Sequence, residues 1–293
     1  MKFEGSYVAL ITPMNDDYSV NYEKLEELIE FHIENKTDGL VILGTTAESP
    51  TLSDDEKEEI VKRTVKKVNK RIPVIVGSGS NSTLHAIESS KKFEKLGADA
   101  LLVITPYYNK TNESGMIAHF KAIAESTKLP IIMYNVPSRT GCSLSVKAIE
   151  VLSKVPNICG IKEASGNISF VAKIAKFKND NFSILSGNDD QIVPLMSLGA
   201  SGVISVWANI MPKTVHNLTE LYINGKTKES LELQLKYLDV CNDLFLETNP
   251  IPVKEAMNYL GYKVGPVRLP LDNMSEATKE KLHKTLDEIR GQL

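Results

Sequence analysis

Residues 157–167 read NICGIKEASGN, an apolar run rich in small residues that ends on Lys162 beside Glu163. Protein interiors normally exclude both of those side chains. A lysine carried into a core is either a strand-end group whose head reaches water or a covalent catalyst. Alternation along a strand puts Gly160, Lys162 and Ala164 on one face, with Ile161 and Glu163 on the other. A branched Ile suits the packed layer under covering helices, so Lys162 is expected to point the other way. Glycine below it and alanine above it leave room for a long side chain and a ligand. An ordinary lysine is neutral in only about 0.04% of molecules at pH 7, and only the neutral amine attacks a carbonyl. Apolar enclosure disfavours the ammonium, and a pKa lowered to roughly 7–8 raises the reactive fraction to tens of per cent. The expected product is a Schiff base between Lys162 and a keto substrate. On the preceding apolar run the same parity groups Ile132, Tyr134 and Val136, which offers Tyr134 as a proton shuttle.

Other polar residues end apolar runs in the same way. Arg139, in YNVPSRTG, could grip a carboxylate through both nitrogens of its fork, although an isolated loop arginine is usually just solvated. Thr45 and Thr46, in GTTAES, serve equally well as a hydroxyl relay or as turn hydrogen bonds. Tyr107 and Tyr108 follow a Thr-Pro turn, where tyrosines more often fill an interface than do chemistry. Glu48 reads as the structural anchor of its loop. His32, His85, His119, His216 and His283 are dispersed, without paired-ligand spacing, which disfavours a metal-dependent aldolase. GSGSNS at 77–82 lacks the last glycine of a dinucleotide fingerprint, and there is no Walker motif. No cofactor is expected.

The elements that must position these groups repeat. Eight short apolar runs, at 7–12, 39–44, 72–78, 98–105, 130–136, 158–164, 182–188 and 202–206, alternate with amphipathic stretches of helical period. Ser53 and Glu56 form a capping box, and Pro73, Pro130 and Pro156 stand where a helix has stopped and a strand begins. Crossovers of this length force parallel pairing. Eight units predict an α/β fold, a (β/α)8 barrel over 1–225, whose active site lies at the C-terminal ends of the strands. A doubly wound sheet is the alternative; it usually has fewer units and a Gly-rich first turn, which LITPMND lacks. From 226 to 293 the period is purely helical and predicts a C-terminal domain of three helices.

Bulk properties narrow the class further. With 34 basic and 37 acidic residues and no basic run, the chain carries no electrostatic footprint for nucleic acid or an anionic membrane. A small-molecule substrate is therefore expected. Three scattered cysteines without CxxC spacing argue against a disulfide framework or a zinc site, and no segment approaches 18 consecutive apolar residues. A reducing, cytoplasmic setting is expected.

Taken together, GTTAES, TPYYNK, YNVPSRTG, GIKEASGN, SGND, GVISVWAN and NPIPVKEA, in that order and across essentially the whole chain, closely resemble the dihydrodipicolinate synthase family. The wider group includes N-acetylneuraminate lyase and related 2-keto-acid aldolases. The resemblance implies that Lys162 forms an imine with pyruvate, that Tyr134 moves protons as the imine becomes an enamine, and that the enamine attacks aspartate semialdehyde on the route to lysine and diaminopimelate. It also implies that Thr45 relays protons between Tyr134 and a second tyrosine, Tyr108, supplied by a neighbouring subunit. A homo-oligomer follows, a tetramer built as a dimer of dimers or a dimer. By the same carry-over Arg139 binds the carboxylate of the incoming aldehyde, while Thr46, Gly187 and Ile204 help to hold pyruvate. Sialic-acid lyases lack the SRTG arginine, so its presence favours a short carboxylated acceptor over a sugar.

Two departures stand out. Ala47 replaces the usual glycine of GTTGES, which restricts positive φ in the turn that aims Thr45. In lysine-inhibited relatives an effector pocket carries histidines and an acidic residue where this chain has Asp54, Lys57 and His85, although Asn81 and Tyr107 are retained; weak or absent feedback by lysine is expected. Two other functions compete with the synthase: a pyruvate-dependent aldolase of a sugar acid, and a non-catalytic barrel that binds a metabolite or partner.

Overall fold

The computed structural model describes residues 2–292. Its strands are β1 (Gly5–Ala9), β2 (Gly39–Ile42), β3 (Val74–Gly77), β4 (Ala100–Ile104), β5 (Ile131–Asn135), β6 (Ile158–Glu163), β7 (Ser183–Ser186) and β8 (Gly202–Ser205). They pair in parallel and in chain order, and β8 closes on β1. Between and after them run α1 (Tyr22–Glu34), α2 (Asp54–Val68), α3 (Thr83–Lys95), α4 (Glu113–Glu125), α5 (Pro137–Thr140), α6 (Val146–Leu152), α7 (Ile168–Ala175), α8 (Ile192–Ser197) and α9 (Pro212–Ile223). The architecture is a closed (β/α)8 barrel.

Local chemistry starts these helices where the chain turns back. Ser53 and Glu56 close both halves of a capping box at α2. Asn21, Ser82, Asn112, Ser145 and Asn167 each accept a first-turn backbone N–H with the side chain. Alternation on the strands then sorts side chains into two apolar layers. Val8, Leu40, Val74, Val103, Met133, Ile161, Ile184 and Val203 pack outward under the helices. Tyr7, Val41, Ile75, Leu102, Ile132, Tyr134, Leu185 and Ile204 fill the interior of the ring. Tyr134 and Lys162 are direct register partners on β5 and β6, so the two side chains enter the interior side by side.

The first strand lies at Gly5–Ala9 rather than at 7–12. Its ladder with β8 begins at the pair Gly5 and Gly202, where the two backbones are so close that a Cβ on Gly202 would sit 1.9 Å from the Gly5 carbonyl oxygen. Beyond Ala9 the chain leaves the ladder: Ile11 N donates to the Asn209 side chain, and Thr12 Oγ1 donates to Ala47 O.

After the barrel the three expected helical stretches are present, the first of them interrupted at Tyr237 into α10 (Thr227–Lys236) and α11 (Leu238–Asp243). Tyr237 is buried with its ring 5.5 Å from that of Trp207, which fixes the break against the barrel. The remaining helices are α12 (Ile251–Tyr259) and α13 (Glu276–Ile289). α10 packs on α8 and α9, α11 on the turn after β7, and α12 on the turn after β8. Val240, Leu244, Val253, Met257 and Leu286 join the same apolar cluster as the outer face of the barrel. Among the described residues no helix is long and apolar enough to cross a membrane.

Candidate active site

At the C-terminal ends of the strands the ring encloses a cavity of about 180 Å³. Lys162 enters it from β6 with 6% of its surface exposed, and its Nζ stands 4.5 Å from the centre of the Tyr134 ring. Burial lowers the Lys162 ammonium from its ordinary value to about 8; the Asp189 carboxylate partly opposes this, and the Arg139 guanidinium adds to it. At that value about a tenth of the amine is neutral at pH 7. Desolvation pushes the Tyr134 phenol up, while Arg139 and a hydrogen bond with the Thr45 side chain pull it back. The Tyr134 phenol is therefore protonated near neutrality.

The floor of the site is tight. A Cβ on Gly187 would come within 2.6 Å of the Ala164 Cβ and 3.1 Å of the Lys162 Cε. The lysine stem passes where only a glycine leaves space. Thr46 is buried at the wall and accepts a hydrogen bond from Asn249 Nδ2, 3.0 Å away. Arg139, on α5, donates from Nη2 to the Asn249 carbonyl oxygen at 3.1 Å and borders the cavity with its fork.

Of the residues singled out in the sequence, Lys162, Tyr134, Thr45, Thr46, Arg139 and Gly187 line this cavity together. Ile204 does not; it is fully buried in the interior layer, and Val206, two residues on, lines the cavity instead. Tyr108 also stays outside, 90% exposed and held in the left-handed region at φ 69. A second, larger cleft of about 600 Å³ lies on the other side of Thr45, Tyr134 and Arg139. It gathers His85, Tyr107, Asp54 and Lys57, together with Glu88, one turn further along α3. Asn81 does not line this cleft; its carbonyl accepts from Asn109 Nδ2 at 2.9 Å. Ala47 carries no positive φ; the left-handed residues of this loop are Leu43 and Glu48, so alanine is accommodated without strain.

Sequence reasoning missed Asn249, Phe245 and Asp189. Asn249 and Phe245 reach the cavity from the C-terminal helical region. Asp189 is buried beneath the turn after β8, where it accepts from Val206 N and Trp207 N. The motifs NPIPVKEA and SGND contain the first and the last of these, but no local period points either at the barrel mouth. Among the described residues no three His, Cys, Asp or Glu side chains converge as metal ligands would.

A family profile described as the Dihydrodipicolinate synthetase family matches residues 2–289. The chain belongs to that family. Over 284 residues, 97% of each chain, it is 55% identical to 4-hydroxy-tetrahydrodipicolinate synthase 1 of Clostridium acetobutylicum. The chloride-inhibited dihydrodipicolinate synthase of Acinetobacter baumannii, solved in complex with pyruvate, superposes with a TM-score of 0.95 at 43% identity, covering 97% of this chain and 98% of that one. A monomeric dihydrodipicolinate synthase variant superposes with a TM-score of 0.96 at 41% identity over 99% and 98% of the two chains. Full-length similarity at these levels places the family's fold on the chain from end to end.

Proposed function

We propose that the barrel condenses pyruvate with L-aspartate semialdehyde to give 4-hydroxy-tetrahydrodipicolinate, in the biosynthesis of diaminopimelate and lysine. One observation carries this reading: a lysine amine, lowered to about 8 by burial, faces a small cavity beside a protonated phenol. The neutral Lys162 amine attacks the pyruvate ketone, one water leaves, and an iminium forms. Loss of a methyl proton gives the enamine, which forms the new carbon–carbon bond at the aldehyde carbon; the aldehyde oxygen takes up a proton. The amino group of the adduct then attacks the iminium carbon, closes the ring and frees Lys162. One water is released overall, and the chemistry calls for no dissociable cofactor.

In this reading Tyr134 carries the protons, with Thr45 as relay, and Thr46 and Gly187 shape the pyruvate site. Arg139 takes the carboxylate of the aldehyde. Val206, rather than Ile204, forms that stretch of the wall. Tyr108, exposed and conformationally held, completes the relay from a neighbouring copy, so the working form is an oligomer, a dimer or a tetramer built as a dimer of dimers. The small cavity and the retained Arg139 favour a short carboxylated acceptor over a sugar. Feedback by lysine is weak or absent in the same reading, and inhibition at micromolar lysine would overturn that part.

Treatment with pyruvate and borohydride tests the core of the reading. A reduced adduct is expected on the Lys162 peptide by mass spectrometry, together with turnover of aspartate semialdehyde and none with N-acetylmannosamine. An adduct that persists in Lys162→Ala would end the assignment.

A further inference from the structure

The C-terminal helical region contributes a second buried lysine, Lys254 on α12, to the underside of the loop that carries Thr45 and Thr46. Its three ammonium protons meet acceptors from three separate segments: Glu48 Oε1 at 2.9 Å, the Thr12 carbonyl in the loop after β1 at 3.1 Å, and the Pro266 carbonyl. The second Glu48 oxygen accepts from Arg268 N at 2.8 Å. Both side chains of the pair are essentially inaccessible to solvent. Glu48 itself sits at φ 56, a left-handed conformation uncommon for a non-glycine residue, three positions beyond Thr45. Thr12 Oγ1 ties the intervening Ala47 carbonyl at 2.8 Å, and Asn249 Nδ2 ties the Thr46 hydroxyl. A buried ion pair adds little net stability over an apolar pair of the same size, because both charges give up hydration. Direction is what this one supplies: the end of a tight turn is held by bonds of fixed geometry, and the turn aims two hydroxyls at the cavity.

We propose that Lys254 is a positioning residue for the reaction, acting through Glu48 to set the direction of the Thr45 and Thr46 hydroxyls. The assignment rests on the reading under Proposed function. The test is the double variant Lys254→Met/Glu48→Met, which removes both charges and leaves an apolar pair. Assayed well below its melting midpoint, it is expected to lose at least about tenfold in kcat, with a parallel loss in the rate of borohydride-trapped imine formation. Leu286→Ala, in α13 of the same region, lowers the midpoint and leaves kcat unchanged. A double variant whose kcat falls by less than about tenfold makes the pair merely structural and overturns the assignment. Should the double variant not fold, Glu48→Gln carries the same two measurements, with the same thresholds. Failure of the unmodified protein to form any pyruvate adduct overturns the underlying reading, and this assignment with it.

Discussion

Lys162 and Lys254 are both buried, yet their surroundings make them opposites. Lys162 opens onto a cavity and the face of a phenol ring, and desolvation carries its pKa to about 8. Lys254 is also lowered by burial, but the Glu48 carboxylate works against that shift, and two backbone carbonyls accept its remaining protons. Burial alone therefore does not make a reactive amine. What separates the two is whether the folded chain offers the ammonium a full set of acceptors or an empty space of substrate size.

The contrast can be broken most directly at the reactive lysine. Lys162→Ala is expected to lose at least about 10⁴-fold in kcat and to form no borohydride-stable adduct, whereas the adduct survives replacement of Lys254. Tyr134→Phe keeps the ring beside Lys162 and removes its proton; a loss of about 10²–10³-fold in kcat with an intact fold by circular dichroism is expected. A loss of less than tenfold would take the phenol out of the proton path.

Stability sharpens the comparison with a sign. The native pKa of Lys162 lies below the unfolded value of 10.5, so between those limits the unfolded chain binds more protons and stability rises with pH. The cost of burying the ammonium is fully present below about pH 8, at about 3 kcal/mol for a shift of this size. Lys162→Met should therefore be the more stable protein in urea at pH 7 by up to about 3 kcal/mol, with an advantage that shrinks by pH 9. Equal stabilities at pH 7 would mean that the amine is solvated. The smallest effect belongs to Ala47→Gly: the alanine carries no positive φ, so kcat should stay within about twofold, with a stability loss of about 0.5 kcal/mol.

Much of this was legible in the chain because it is written in local periods. Alternation alone sent Ile161 outward and Lys162 inward, and proline and capping residues marked where each unit turned. The placement of Thr45, Thr46, Tyr134, Arg139, Lys162 and Gly187 around one cavity follows from the rule that barrel chemistry sits at strand ends. Lys254, Asn249 and Asp189 were not legible as neighbours of the site. They arrive by tertiary routes, Lys254 206 positions from Glu48 and Asn249 203 from Thr46, and no period in the sequence reports such a distance. The first strand was misplaced for a related reason: an apolar stretch that runs past its ladder looks the same as one that stays in it. The break at Tyr237 depends on a ring from the turn after β8, Trp207, thirty positions earlier in the chain.

Gly187 puts the reaction at the mercy of one methyl group. A change to alanine there needs only a single base, and the methyl lands against the Ala164 Cβ, the stem of Lys162 and the Glu163 carbonyl that accepts the Gly187 N–H. The space that admits the lysine stem and the contact that joins β6 to the chain after β7 thus answer to the same missing methyl, and larger side chains are shut out on both counts.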